Sequence, residues 1–254
     1  MISFAALTPL LFVVGLCVGS FLNVVIARVP EGRSIVHPGS ACPRCGKGIA
    51  WFDNIPLISY ALLRARCRHC GLPISLRYPL VELLTGLLFV LAAWQLGVGL
   101  HLVGALILLA SLVAIAAIDL DCQLIPDSIS LPGIVAGFVL SLVTGTPGWL
   151  DSLIGVLIGG GLFFLIIVAS RGGMGGGDMK LGAMLGAFLG WKLVLVAVLL
   201  AVLAGGLMAI GLLALRRKGR KDAVPFGPFL ALGGVVSLFW GFSLLEWYLG
   251  VFSG

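Results

Sequence analysis

The chain has 254 residues, of which 60% are apolar and only 10% charged, with a net charge of +6 and a mean hydropathy of +1.19. A soluble domain carries about 25% charged residues to cover its surface, so this composition excludes a soluble fold. It also excludes a disordered chain, a collagen, a coiled coil and a small disulfide scaffold.

A spanning helix needs about 20 mostly apolar residues. Met1 to Ala27 carries no charge. It lacks the basic n-region and short core of a cleavable signal, and reads as a retained first span. Leu83 to Ile118 is a second uncharged run, too long for one helix, and Gly97-Val98-Gly99 offers the turn that divides it. Further spans are expected at Ser128–Leu150, Ser152–Ser170, Leu181–Trp191, Leu193–Leu215 and about Phe226–Leu249. The fold class is therefore an all-α polytopic membrane protein of about eight transmembrane helices. Three regions follow: a first helix over 1–27, a cytoplasmic cysteine domain over 28–78, and a membrane-embedded domain over 79–254.

Threading eight spans places Arg28, Arg33, Arg44, Lys47, Arg64, Arg66, Arg68 and Arg77 in the first loop. Arg171 and Lys180 share the loop between spans 5 and 6, and Arg216, Arg217, Lys218, Arg220 and Lys221 the loop between spans 7 and 8. Of the 16 basic residues, only Lys192 falls opposite. That common side is expected to be cytoplasmic, with both termini outside. The net positive charge follows from this topology and favours anionic lipid head groups; no nucleic-acid partner is expected.

The first loop contains Cys42-Pro43-Arg44-Cys45 and Cys67-Arg68-His69-Cys70, separated by 21 residues. Two CxxC pairs at that distance suit a structural tetrahedral zinc with Cys42, Cys45, Cys67 and Cys70 as ligands. A loop of about 50 residues has too small a core to fold unaided, and a metal supplies the missing stability. A disulfide pair is the rival reading, disfavoured by reduced cytoplasmic thiols; a redox CxxC would need only one pair. Arg44, Lys47, Arg66 and Arg68 are placed to offset thiolate charge. Cys17 and Cys122 read as small core residues.

Two carboxylates fall at the edges of spans. Asp119 ends an apolar run and opens the segment through Asp121, Pro126 and Asp127. Asp127 is balanced between a helix-start carboxylate and a functional one, and Asp121 reads as an exposed interfacial charge. Asp178 follows Gly172-Gly173-Met174-Gly175-Gly176-Gly177, a run too rich in glycine for a stable helix. From Asp178 to Trp191 there are 14 residues, about 21 Å of helix, which sets Asp178 inside the membrane. An intramembrane aspartate is a functional candidate by default. Two such carboxylates suit an aspartic-protease dyad sharing one proton; an ion or proton path and purely structural acids are the alternatives.

With these motifs in order, the chain resembles the type IV prepilin peptidases, the leader peptidase and N-methyltransferase family of type IV pilus and type II secretion systems. The likeness rests on Gly19-Ser20-Phe21-Leu22-Asn23-Val24-Val25, both CxxC pairs, Asp53-Asn54-Ile55-Pro56 and Ile74-Ser75-Leu76-Arg77-Tyr78-Pro79-Leu80-Val81-Glu82. It continues through Asp119 with Ile125-Pro126-Asp127, and Gly175-Gly176-Gly177-Asp178 with Lys180. The last is the GxGD signature of presenilin-like intramembrane aspartyl proteases. The resemblance implies catalytic aspartates at Asp119 and Asp178 and cleavage of prepilin or pseudopilin leaders after a glycine on the cytoplasmic face of the bacterial inner membrane. It further implies N-methylation of the new N-terminus, commonly phenylalanine, with S-adenosylmethionine. Pilus or type II secretion machinery is the implied partner. The family's usual glycine two positions before the third cysteine is Ala65 here, and no residues for the methyl donor are assigned from sequence.

Overall fold

The computed structural model describes residues 4–169, 175–214 and 225–252. Of the residues singled out above, Met1–Ser3, Ser170, Arg171, Gly172-Gly173-Met174, Leu215 and the basic run from Arg216 to Lys221 lie outside the described residues.

Long charge-poor runs become helices because hydrocarbon offers no hydrogen-bond partner, and a helix satisfies its backbone internally. The long elements are α1 (Phe4–Arg28), α3 (Arg77–Leu96), α4 (Leu100–Cys122), α5 (Asp127–Thr144), α6 (Trp149–Ala169), α7 (Gly176–Ala214) and α8 (Gly227–Phe252). A short α2 (Ile58–Leu62) lies in the cysteine loop, and the described residues contain no strand beyond two isolated bridges. Gly97 ends α3 at φ 74°, and Gly145 ends α5 at φ 69°, left-handed positions that favour glycine.

Among the described residues seven helices are long and apolar enough to cross a membrane, and the sixth of them, α7, is two segments. Gly190 breaks it at φ 77°, ψ 172°. Residues 191–214 then return along 176–189. On α8, Gly233 lies against Ala197 and Ala201 while its neighbour Gly234 lies against Leu185. Residues before and after the break thus stand at one level, so α7 folds back on itself, and the described residues give seven candidate spans where the sequence predicts about eight. A side chain at Gly190 would be strained by its φ and would also meet Pro147 at 3.1 Å.

The chain divides into two compact units, Met1–Val98 and Gly99–Gly254. In the first, α1 and α3 meet backbone to backbone: a Cβ at Gly15 would lie 2.7 Å from Gly86 Cα, and one at Gly19 would lie 2.6 Å from Glu82 Cα. Helix α3, grouped with the membrane domain 79–254 by sequence, packs with α1 instead. It also begins six residues before the expected Leu83, because Arg77, Tyr78 and Pro79 form its first turn, where proline lacks only an N–H that had no partner there.

In the second unit, α6 and α7 meet through Gly155 and Gly159 on one side and Gly182 and Gly186 on the other. This four-residue spacing of small residues lets membrane helices approach closely. Ser152 Oγ, fully buried, donates to the Ala187 carbonyl at 2.8 Å across the same seam. The core gathers Leu108, Leu112, Ile115, Phe163, Leu181, Met184, Leu185 and Val194. Leu157, Leu165, Leu207 and Trp247 face outward, as lipid-facing side chains do.

The α6–α7 seam has no room for a side chain. Gly186→Val should lower stability by about 3 kcal/mol, whereas Gly161→Val, which meets nothing within 4 Å, should change it by less than about 0.5 kcal/mol. Thermal unfolding of both variants in detergent checks this.

Candidate functional site

Asp119 is the first acid in α4 and stands in its last turn, where the helix ends at Gln123 in the left-handed conformation. Its side chain is buried. Oδ2 accepts the Gly227 N–H at 2.8 Å, one of the first N–H groups of α8, which have no partner within their own helix. The residue there must be glycine, since a Cβ would fall 2.7 Å from Oδ2 and 3.0 Å from Cγ of Asp119. Phe226, just before it, packs edge-on against buried Phe163 with ring centroids 5.9 Å apart. Pro225-Phe226-Gly227-Pro228 was not singled out in the sequence; a glycine between prolines at the head of an apolar span is the signal that marks it.

Asp178 stands half-buried in the first turn of α7, its N–H donating to the Gly175 carbonyl at 3.2 Å. The expectation that the glycine run would not form helix holds only up to Gly175, because Gly176 and Gly177 are helical. Gly177 has a packing reason: a Cβ there would lie 2.8 Å from Ile125 Cβ. Ile125, buried in the link between α4 and α5, thereby seats the head of α7 against the segment that follows Asp119. The two carboxylates lie within Coulombic reach of each other. The structure thus brings the two predicted acids together at adjoining helix ends.

Asp127, by contrast, is spoken for. Lys180 Nζ, two residues beyond Asp178, donates to both its oxygens at 2.6 and 2.7 Å. The balance left open by the sequence falls to an ion pair joining α5 to α7; Pro126, not Asp127, occupies the cap position. Asp121 is exposed.

In the first unit, the Sγ atoms of Cys42, Cys45, Cys67 and Cys70 lie within 4.8 Å of one another, an arrangement that can hold a metal ion. Four thiolates about 2.3 Å from a tetrahedral zinc stand about 3.8 Å apart, and Cys42 and Cys70 are 4.0 Å apart. The two halves repeat one fold. Cys42 N–H donates to the Lys47 carbonyl and Cys67 N–H to the Leu72 carbonyl, both at 2.9 Å. Gly46 and Gly71, each following a second cysteine, turn at φ 71° and 69°. Backbone N–H groups of Cys45 and Arg44 pull the Cys42 thiol down to about 7. The Leu72 N–H favours the Cys70 thiolate, but burial and three neighbouring sulfurs outweigh it and push that thiol up to about 11. A bound cation relieves that crowding by deprotonating its ligands.

Arg68, expected to offset thiolate charge, instead forks onto Asp53 at 2.7 and 2.6 Å and lies over the Phe52 ring. This hydrogen bonding holds the Asp53 carboxyl below its ordinary range and raises Arg68. Glu82 is a buried acid that sequence reasoning missed. It falls within α3, is 8% exposed, and accepts the Leu57 N–H at 2.9 Å through Oε2; Asp119 is the other buried acid among the described residues.

These features define a polytopic helical membrane protein with a four-cysteine module in one unit and paired carboxylates in the other. The model of the bacterial Peptidase A24 N-terminal domain matches residues 13–96, and that of the type IV leader peptidase family matches residues 106–210. Three relatives are each named prepilin leader peptidase/N-methyltransferase. The Myxococcus xanthus protein is 51% identical over 83% of this chain and 64% of its own length. The Aeromonas hydrophila protein is 41% identical over 94% and 93%, and the Pseudomonas aeruginosa protein 38% over 98% and 97%. No solved structure matches the chain. The chain belongs to the type IV leader peptidase family.

The contact at Gly227 makes a test that is independent of activity. Gly227→Ala should cost about 1–3 kcal/mol, because its methyl group strikes the Asp119 carboxylate. Combined with Asp119→Ala, it should cost clearly less than the sum of the two single changes. A double-mutant cycle on unfolding free energies reads that coupling.

Proposed function

We propose that this protein is a prepilin leader peptidase/N-methyltransferase whose peptidase centre is the pair Asp119 and Asp178. Two carboxyls that share a proton form a sufficient acid–base couple for amide hydrolysis. The ionised member draws a proton from water as the oxygen attacks the scissile carbonyl, and the protonated member supplies one to the departing amine. The observation that carries this reading is their juxtaposition, with Asp119 fixed by the Gly227 N–H and Asp178 at the head of a helix wedged against Ile125. Asp127 has no part in the couple, since Lys180 holds both its oxygens.

The substrates are prepilins or pseudopilins cut after a glycine, serving a pilus or type II secretion machine. The basic residues flanking the spans orient the loops toward the cytoplasm of the bacterial inner membrane. The metal is a structural zinc, because four thiolates leave no open position for catalysis. S-adenosylmethionine supplies the methyl group. Ala65 fits this assignment: it sits at φ 58°, the left-handed region where glycine is most at ease, and its N–H and carbonyl still bond Tyr60 and Ile74. The alanine therefore holds a left-handed turn of the kind glycine favours.

Asp119→Asn and Asp178→Asn should each reduce leader cleavage about 100-fold or more, with Asp127→Asn far milder; incubation with a prepilin and gel or mass analysis of the product decides this. Full cleavage by either of the first two variants would sink the assignment. The purified protein should carry one zinc per chain by elemental analysis, lost on Cys42→Ser or Cys67→Ser. A protein free of zinc would remove the metal from this reading.

A further inference from the structure

A cavity of about 770 Å³ lies within the first unit, walled by the end of α1, the cysteine loop and the start of α3. Its rim is basic, with Arg28, Arg33, Arg44 and Lys47, while buried Glu82 stands in its wall. The other carboxylate of the lining, Asp53, is taken by Arg68. Glu82 makes no ion pair with any described residue; its partners are the Leu57 N–H at 2.9 Å and the Ser20 hydroxyl. The chain distorts to provide that donor. Leu57 sits at φ 60°, ψ −47°, the centre of a γ-turn closed by the Ile58 N–H on the Pro56 carbonyl at 2.6 Å. Such a turn is rare and strained, and strain of this kind gathers at functional positions. Glu82 is also fixed from behind, since Gly19 of α1 lies against its Cα. Beside it, Asn23 is buried and tied through Nδ2 to the Tyr78 carbonyl at 3.1 Å.

A buried carboxylate held by one backbone N–H and one hydroxyl, with no cation beside it, is a site for an ammonium group. Resting on the methyltransferase reading above, we propose that Glu82 binds the newly exposed α-ammonium of the cut pilin and acts as the base for its methylation. Oε2 is held by Leu57, and Oε1 accepts a proton from the ammonium nitrogen. The nitrogen lone pair so released forms the new N–CH3 bond as the CH3–S bond of the sulfonium donor breaks, its electron pair staying on sulfur. Placing the base beside the amine supplies the acid–base step without which the ammonium, lacking a lone pair, cannot react.

The test uses the full-length enzyme in detergent, as wild type, Glu82→Gln and Glu82→Asp. Labelled S-adenosylmethionine and a prepilin report cleavage and methylation in one sample, and a synthetic pilin peptide beginning with free phenylalanine reports binding without turnover. Glu82→Gln should cleave at the wild-type rate, methylate about 100-fold more slowly and bind the free-amine peptide about tenfold more weakly. An N-acetylated peptide should not distinguish it from wild type. Glu82→Asp should recover part of the methylation, since it keeps a carboxylate. Methylation by Glu82→Gln within threefold of wild type overturns the proposal, as does joint loss of cleavage and methylation in both variants, which would mark Glu82 as structural. A wild type that cleaves but never methylates overturns the methyltransferase reading itself, and this inference with it.

Discussion

The hydrogen bond from the Gly227 N–H to Asp119 Oδ2 is the contact on which the second unit is arranged. A carboxylate inside an apolar bundle is costly unless donors replace the water it has lost, and a helix supplies such donors only at its N-terminus. The head of α8 must therefore reach the tail of α4, and the residue at the contact can carry no side chain. Phe226 against Phe163 sets the approach of that head, and Gly233 and Gly234 let α8 lie flush on both halves of α7. The hairpin at Gly190 follows from the same need. The break at Gly190 keeps the first half of α7 short, with Asp178 in its first turn.

The first unit rests on a different constraint. Its cysteine loop has little apolar core: Trp51, Leu62 and Leu76 are exposed, and Ser59 is buried instead. Order comes from two copies of one knuckle, each closed by a cysteine N–H and a left-handed glycine, which aim four sulfurs at one point. The thiols are unequal, Cys42 drawn down by backbone donors and Cys70 pushed up by burial and its neighbouring sulfurs, and together they could hold a metal ion. The helices α1 and α3 approach closely where Gly15 and Gly19 lie against the backbone of Gly86 and Glu82.

Charge scarcity made the site legible. In a chain with ten acids, Asp119 and Asp178 stood out because each interrupts or borders an apolar run, and the cysteine spacing stood out because it has few other uses. Glu82 was not legible. It precedes its apolar run by one residue, at the edge of the membrane domain, and its burial follows only from Arg77, Tyr78 and Pro79 forming the first turn of α3. Gly227 escaped for a different reason: its contribution is a backbone N–H, which leaves no mark in residue chemistry. Asp127 was ambiguous because its partner, Lys180, lies 53 residues away, beyond any local pattern.

Glu82 and Asp119 solve one problem in the same way. Each is a buried acid in a helix that borders the membrane, and each takes a single backbone N–H, from Leu57 in one unit and Gly227 in the other. Neither forms an ion pair among the described residues, although the chain carries 16 lysines and arginines. A carboxylate needed only for stability is best served by a lysine or arginine, as Asp127 and Asp53 are. Neutral donors fix the group's position, a backbone N–H for both acids and the Ser20 hydroxyl in addition for Glu82, without the lasting charge partner that an ion pair would impose. Among the described residues the fold withholds a cation from its two buried acids while supplying one to exposed Asp127, an arrangement that suits the proton exchange proposed for both.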